Sequence, residues 1–166
     1  MLRGRADLLG QEEEVTDYFR EQVKTLLIRR ATVGDAAALQ ALNQQFNADE
    51  TPLHWIEKRL SDAVPVERVF VATNSSEVIG FCCITVASSF CRERSRAEIT
   101  ELFVAGPHRR KGVAKELMKA AARHAGDAGV NEFFVLTNKM NKAARSFYES
   151  LGYAKANDTL YRRKAK

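Results

Sequence analysis

The sequence predicts one mixed α/β domain of the α+β kind, and three observations carry that prediction. Helical and β-rich stretches alternate in the order β-α-α-β-β-β-α-β-α-β-β. The chain has 166 residues, the usual size of one domain and long enough to bury a core. It is 45% hydrophobic and 28% charged with only 3 Pro and 9 Gly, which favours a folded globular protein over a disordered one.

Residues 1–24 differ from the rest of the chain. They are polar and carry the acidic triplet Glu12, Glu13 and Glu14, so they read as an N-terminal extension, partly helical through "EEEVTDYFREQVK". The domain proper runs from 25 to 166. "TLLIRRAT" (25–32) reads as a short strand. Asp35 is an N-cap candidate for "AAALQALNQQF", with Leu39, Leu42 and Phe46 on one stripe. Thr51-Pro52 signals a second helix, with the proline at its first position and Leu53, Ile56 and Leu60 as its stripe.

Three strands come next: 68–73, 78–88 after the turn "NSSE", and 97–106 after the charged connection "FCRERS". From Gly112 the period turns helical, with Val113, Leu117, Met118 and Ala121 on one face and Gly126 and Gly129 marking the end. "NEFFVLT" (131–137) is a strand. "NKAARSFYESLG" (141–152) is a helix with Ala144, Phe147 and Leu151 inward and Gly152 as its stop. "YAKANDTLYRRK" (153–164) suggests a closing hairpin that turns at Asn157-Asp158.

The formal charge of +5 suits an anionic ligand without demanding nucleic acid. Arg92, Arg94 and Arg96 lack interleaved aromatic residues, which argues against a nucleic-acid binder. The 3 cysteines, Cys82, Cys83 and Cys91, fit neither a zinc site nor a disulfide framework, so free thiols, no metal and a reducing cytoplasmic setting are expected. The first residues lack the apolar core of a signal peptide, and no apolar run has the length of a membrane span.

The most chemical stretch is "GPHRRKGVA" (106–114), where a strand feeds a loop and then a helix. Backbone N–H groups at a helix start, together with its dipole, attract anions. Gly112 and Ala114 allow close approach to the backbone, and Arg109, Arg110 and Lys111 add charge. Neither G-x-x-x-x-G-K-[ST] nor G-x-G-x-x-G is present, so nucleotide loops of those kinds are disfavoured.

"RRKGVA" resembles the R/Q-x-x-G-x-G/A signature of the GNAT superfamily, the acetyl-CoA-dependent N-acetyltransferases, with Arg109, Gly112 and Ala114 at the signature positions. "ELFVAGPH" is similar to that family's fourth strand and "LLIRRATVGD" to its first. "NKAARSFYESLGY" resembles its second motif, through Asn141, Ala144, Phe147, Tyr148 and Gly152. The resemblance covers about residues 25–166.

It implies acetyl-CoA as acetyl donor, with Arg109, Arg110, Lys111, Gly112, Val113 and Ala114 around the pyrophosphate. It also implies Leu102, Phe103 and Val104 beside the pantetheine as an added strand, and Asn141 near the pantetheine or thioester. A bulge at that strand end and a splay toward 131–137 are expected with it.

Acetyl transfer to an amine needs the amine neutral, an oxyanion donor, an acid for the leaving thiolate and alignment. It needs no covalent enzyme intermediate. By resemblance Tyr148 is the candidate acid. Glu98 and Glu101 are candidate bases, on opposite faces if their strand is regular and otherwise arranged if it is bulged. The expected acceptor is a small primary amine such as an aminoglycoside or polyamine, since "AEITELFVAGPHRRKGVA" is loosely similar to small-molecule members. A protein amine, and an inactive coenzyme A-binding sensor or partner, are the alternatives. A homodimer is expected by family analogy alone.

Overall fold

The structure, a computed structural model, describes residues 26–48, 50–62 and 66–164. The helix expected within 1–24 lies outside them. The chain divides into two compact units, one up to Phe134 and the other from Val135 onward.

Strands β1 (Leu26–Arg30), β2 (Glu67–Asn74), β3 (Glu77–Ser89), β4 (Arg92–Val104) and β5 (Glu132–Val135) make one sheet in that spatial order, with β1 to β4 antiparallel. The β2–β3 turn is tight at Ser75-Ser76, and Ser75 takes φ 58°. Helices α1 (Ala36–Asn47) and α2 (Leu53–Ser61) precede β2, and α3 (Val113–Asp127) follows β4.

Pairing puts Val71, Phe81 and Phe103 side by side on one face of the sheet. There they pack with Ala31, Leu39, Leu42 and Cys83 into a core that Ile56 and Leu60 of α2 flank. Side chains alternate along a strand, so Cys82 and Ile84 point to the other face, where α3 buries Val113, Leu117, Met118 and Ala121. The sheet is thus covered on both faces, which is why β3 reads as a continuous apolar run rather than an alternating one.

Gly80 lies opposite Val104, and a Cβ there would meet the Phe103 carbonyl oxygen at 2.7 Å. Only glycine lets β3 approach the end of β4 this closely.

Four expectations change. Asp35 does stand at the N-cap position of α1, but its carboxylate does not cap that helix. It accepts from Arg29 Nη1 and Nη2, both at 2.7 Å, and from Thr32 N at 2.8 Å. The short 3-10 turn Val33–Asp35 aims the side chain back at β1, where two charged donors outcompete one backbone N–H. Pro52 is the N-cap of α2 rather than its first residue, and Thr51 ties the two helices by accepting from Gln40 and Asn43.

The connection expected over 90–95 shrinks to Phe90-Cys91, because β4 begins at Arg92. Its polar start resembles a loop, yet a hairpin arm solvated on both faces needs no apolar residues. Ser88 and Ser95 join hydroxyls across it at 3.0 Å. Finally, 153–164 carry no strand. Leu160 and Tyr161 are exposed, so the segment has no buried apolar face to fix a register.

Candidate active site

The end of β4, the loop after it and the start of α3 form one continuous feature. Ala105 N donates to Ile79 O at 2.9 Å, and Gly106–His108 makes a single 3-10 turn. Arg109 then reaches back. Its Nε donates to Val104 O at 2.7 Å, and its guanidinium lies 5.3 Å from the centroid of the Phe103 ring. Arg109 therefore straps the loop to the strand.

Arg110 at φ 62° and Gly112 at φ 82° turn the backbone into the helix. The first helical bond is Glu116 N to Gly112 O at 3.1 Å. Helix geometry leaves the N–H groups of Gly112, Val113, Ala114 and Lys115 without partners in the helix, and no side chain caps them. A Cβ at Gly112 would meet nothing within 4 Å.

Val113 is buried and anchors the turn, while Arg110, Lys111 and Gly112 are exposed. Uncapped N–H groups behind an exposed glycine, flanked by cations, suit an anion. Leu102 is half-buried and the Phe103 and Val104 side chains are buried, so these three offer a ligand mainly backbone. The Val104 carbonyl already accepts from Arg109.

The β3–β4 register pairs Cys83 with Glu101 and then Ile84 with Ile99, leaving Thr100 as an extra residue. This bulge faces β3 and falls just before the 102–104 segment where one was expected. Its consequence is geometric: Glu98 pairs with Thr85 and Glu101 with Cys83, so both carboxylates share the face that carries α1. Asn47 Nδ2, at the end of α1, donates to Glu101 Oε2 at 3.3 Å.

Glu67, the first residue of β2, pairs with Thr85 and lies in the same row as Glu98. The Thr100 hydroxyl donates to Glu67 Oε1. Glu101 is half-buried, and burial pushes its carboxyl above the ordinary range. The Asn47 hydrogen bond opposes this and the negative charge of Glu67 adds to it.

Burial raises the Cys82 thiol to about 12 and the Cys83 thiol well above its usual value, so neither is a thiolate nucleophile. Among the described residues, no group of three or more His, Cys, Asp or Glu side chains is placed to hold a metal ion. No described helix is long and apolar enough to cross a membrane.

The second unit holds α4 (Lys142–Ser150). Asn141 is its N-cap, and Oδ1 accepts from Ala144 N at 3.0 Å. Tyr148 is half-buried, with its ring 5.5 Å from that of Phe147 and 5.9 Å from that of Tyr153. Gly152 at φ 88° ends the helix.

Reading the sequence missed Glu67, Thr100 and Asn47. No motif marks them. The available signal for the bulge was Glu101, a charge at the position where the alternation of buried Ala97 and Ile99 calls for an apolar residue.

A strand that runs into an uncapped helix start, beside a face bearing two carboxylates, is an arrangement compatible with an acyl-coenzyme A-dependent transferase. A model of the GNAT acetyltransferase family matches residues 36–153, and the chain belongs to that family. It is therefore an acyltransferase, an N-acetyltransferase by family.

It is 31% identical over 133 residues to the uncharacterized N-acetyltransferase YhfO of Bacillus subtilis, covering 76% of this chain and 88% of the relative. It is 30% identical over 93 residues to human N-acetyltransferase 8, covering 55% of this chain and spanning 40% of that longer protein. Among solved structures, an aminoglycoside acetyltransferase from an uncultured soil metagenomic sample, in complex with sisomicin, superposes with a TM-score of 0.74 at 23% identity, over 85% of this chain and 97% of that one. The ribosomal-protein-alanine N-acetyltransferase of Brucella melitensis gives 0.72 at 19% identity, over 85% and 100%. These superpositions establish the shared fold.

Proposed function

We propose that the chain transfers the acetyl group of acetyl-CoA to a primary amine of a small cationic molecule, by direct attack within a ternary complex. The observation that carries the choice of acceptor is the Thr100 bulge, which turns Glu98 and Glu101 onto one face. Two carboxylates there attract an ammonium group. Glu101, half-buried and raised, is the base that takes its proton, and Glu98 holds the cation in line.

Backbone N–H groups from Arg109 to Ala114 receive the pyrophosphate, with the side chains of Arg110 and Lys111 adding charge. The backbone of Leu102 to Val104 receives the pantetheine. By the family resemblance alone, Asn141 is assigned to the pantetheine or thioester and Tyr148 to protonation of the departing thiolate. The buried, raised thiols Cys82 and Cys83 favour direct transfer over an acyl-enzyme. Free Cys82, Cys83 and Cys91 suit a reducing cytoplasm.

The fold shared with a ribosomal-protein-alanine acetyltransferase keeps a protein N-terminus as the second reading. Thiol release from acetyl-CoA, measured against aminoglycosides, polyamines and alanyl peptides, separates the two. Turnover with the cationic small amines is expected. Turnover with alanyl peptides alone would transfer the assignment to a protein acceptor.

A further inference from the structure

We propose that Glu67 is a positioning residue for this reaction: from the first position of β2 it holds the bulge residue Thr100 and sets the charge that faces Glu101. The inference rests on the base role given to Glu101 above. Three observations support it. Glu67, Thr85 and Glu98 form one row across β2, β3 and β4, and Val69, Cys83 and Glu101 form the next. The Thr100 hydroxyl donates to Glu67 across the intervening strand. Thr100 is the one residue of β4 that the β3 ladder leaves over between Ile99 and Glu101. A bulge residue has no cross-strand partner to hold it, so a side-chain tether is what fixes its direction.

The groups that act on Glu101 are Glu67 from β2, the Cys83 thiol from β3 and the Asn47 amide from α1, while Glu98 lies on the same face one row away. Cys83 is uncharged at working pH, and Asn47 is neutral. Burial is what chiefly resists ionisation of Glu101; the Asn47 hydrogen bond favours ionisation, and the charge of Glu67 adds to the resistance. In the transfer step the ammonium gives its proton to Glu101 and the freed lone pair attacks the thioester carbonyl. A base whose proton affinity is raised by a fixed neighbour takes that proton more readily.

The test is the titration of the Glu101 carboxyl in the full chain, followed by carbon-13 NMR and assigned with Glu101→Gln, in wild type, Glu67→Gln and Glu67→Lys. Gln keeps an oxygen for the Thr100 hydroxyl and removes the charge; Lys reverses it. The midpoint is expected to fall stepwise across the three. The acid limb of kcat/KM for a polyamine should move to lower pH in the same order. The thermal shift given by acetyl-CoA should persist in all three, reporting a folded domain.

A purely structural role would lower activity without a shift graded by charge. An unmoved midpoint in both variants would overturn the proposal. If wild type acetylates no amine, the acceptor assignment fails separately, and the titration still decides what Glu67 does to Glu101.

Discussion

At the residue scale, the proposed mechanism gives the two proton transfers to Tyr148 and Glu101. Tyr148→Phe removes a hydroxyl while keeping a ring of nearly the same size against Phe147 and Tyr153. Loss of a general acid should lower kcat about 100-fold while coenzyme A affinity stays nearly constant. Steady-state kinetics with calorimetric binding checks both, and unchanged turnover would remove the acid role. Glu101 must be ionised to accept a proton. Its carboxyl lies above the ordinary range through burial, so the rate should fall as pH drops through that raised value. A pH profile measures this, and Glu101→Gln should abolish the acid limb.

At the element scale, the proposed mechanism has the start of α3 hold the donor. Gly112 at φ 82° with open space around its missing Cβ makes two substitutions informative. Gly112→Ala meets no atom and costs only the left-handed conformation, about 1 kcal/mol. Gly112→Glu costs the same backbone strain but sets a carboxylate before the uncapped N–H groups, and should abolish the acetyl-CoA melting shift in a protein that still folds. A normal shift in the glutamate variant would sink the assignment of the loop.

The loop was legible because its motif is local: Arg109, Gly112 and Ala114 lie within a short span of chain. The role of Arg109 was not. A cation in that motif suggests phosphate, whereas its Nε is bound to the Val104 carbonyl. The shared face of Glu98 and Glu101 was not legible either. It depends on one extra residue in a register that only pairing with β3 reveals.

At the scale of the whole molecule, the alternation of helical and β-rich segments anticipated the order of elements up to α4. It failed for 153–164, where turn chemistry at Asn157-Asp158 suggested a hairpin but no apolar face supports one. Residues such as Glu67 stayed invisible because what matters is their neighbours two strands away.

The first unit also depends on the Arg29–Asp35 pair, which joins β1 to the entry of α1. Asp35 is buried, and the Arg29 hydrogen bonds chiefly hold its carboxyl down at about 2. The unfolded value is near 4, so the stability this group contributes is complete above about pH 4 and is lost as pH falls toward 2. Arg29 is partly exposed, which tempers the energy. Asp35→Asn should cost about 2 kcal/mol and lower Tm by several degrees at neutral pH, with the difference from wild type shrinking in acid. Calorimetry across pH checks it, and a variant equally stable at neutral pH would contradict it.

The most direct measurement compares KM for a polyamine and for a monoamine with the same reacting end, in wild type, Glu98→Gln and Glu101→Gln, at saturating acetyl-CoA. A carboxylate face that selects cations predicts that wild type favours the polyamine, that the Glu98 variant loses this preference while keeping measurable turnover, and that KM for acetyl-CoA is unchanged. Equal KM values for the two amines in wild type, or a preference that survives both substitutions, would contradict it.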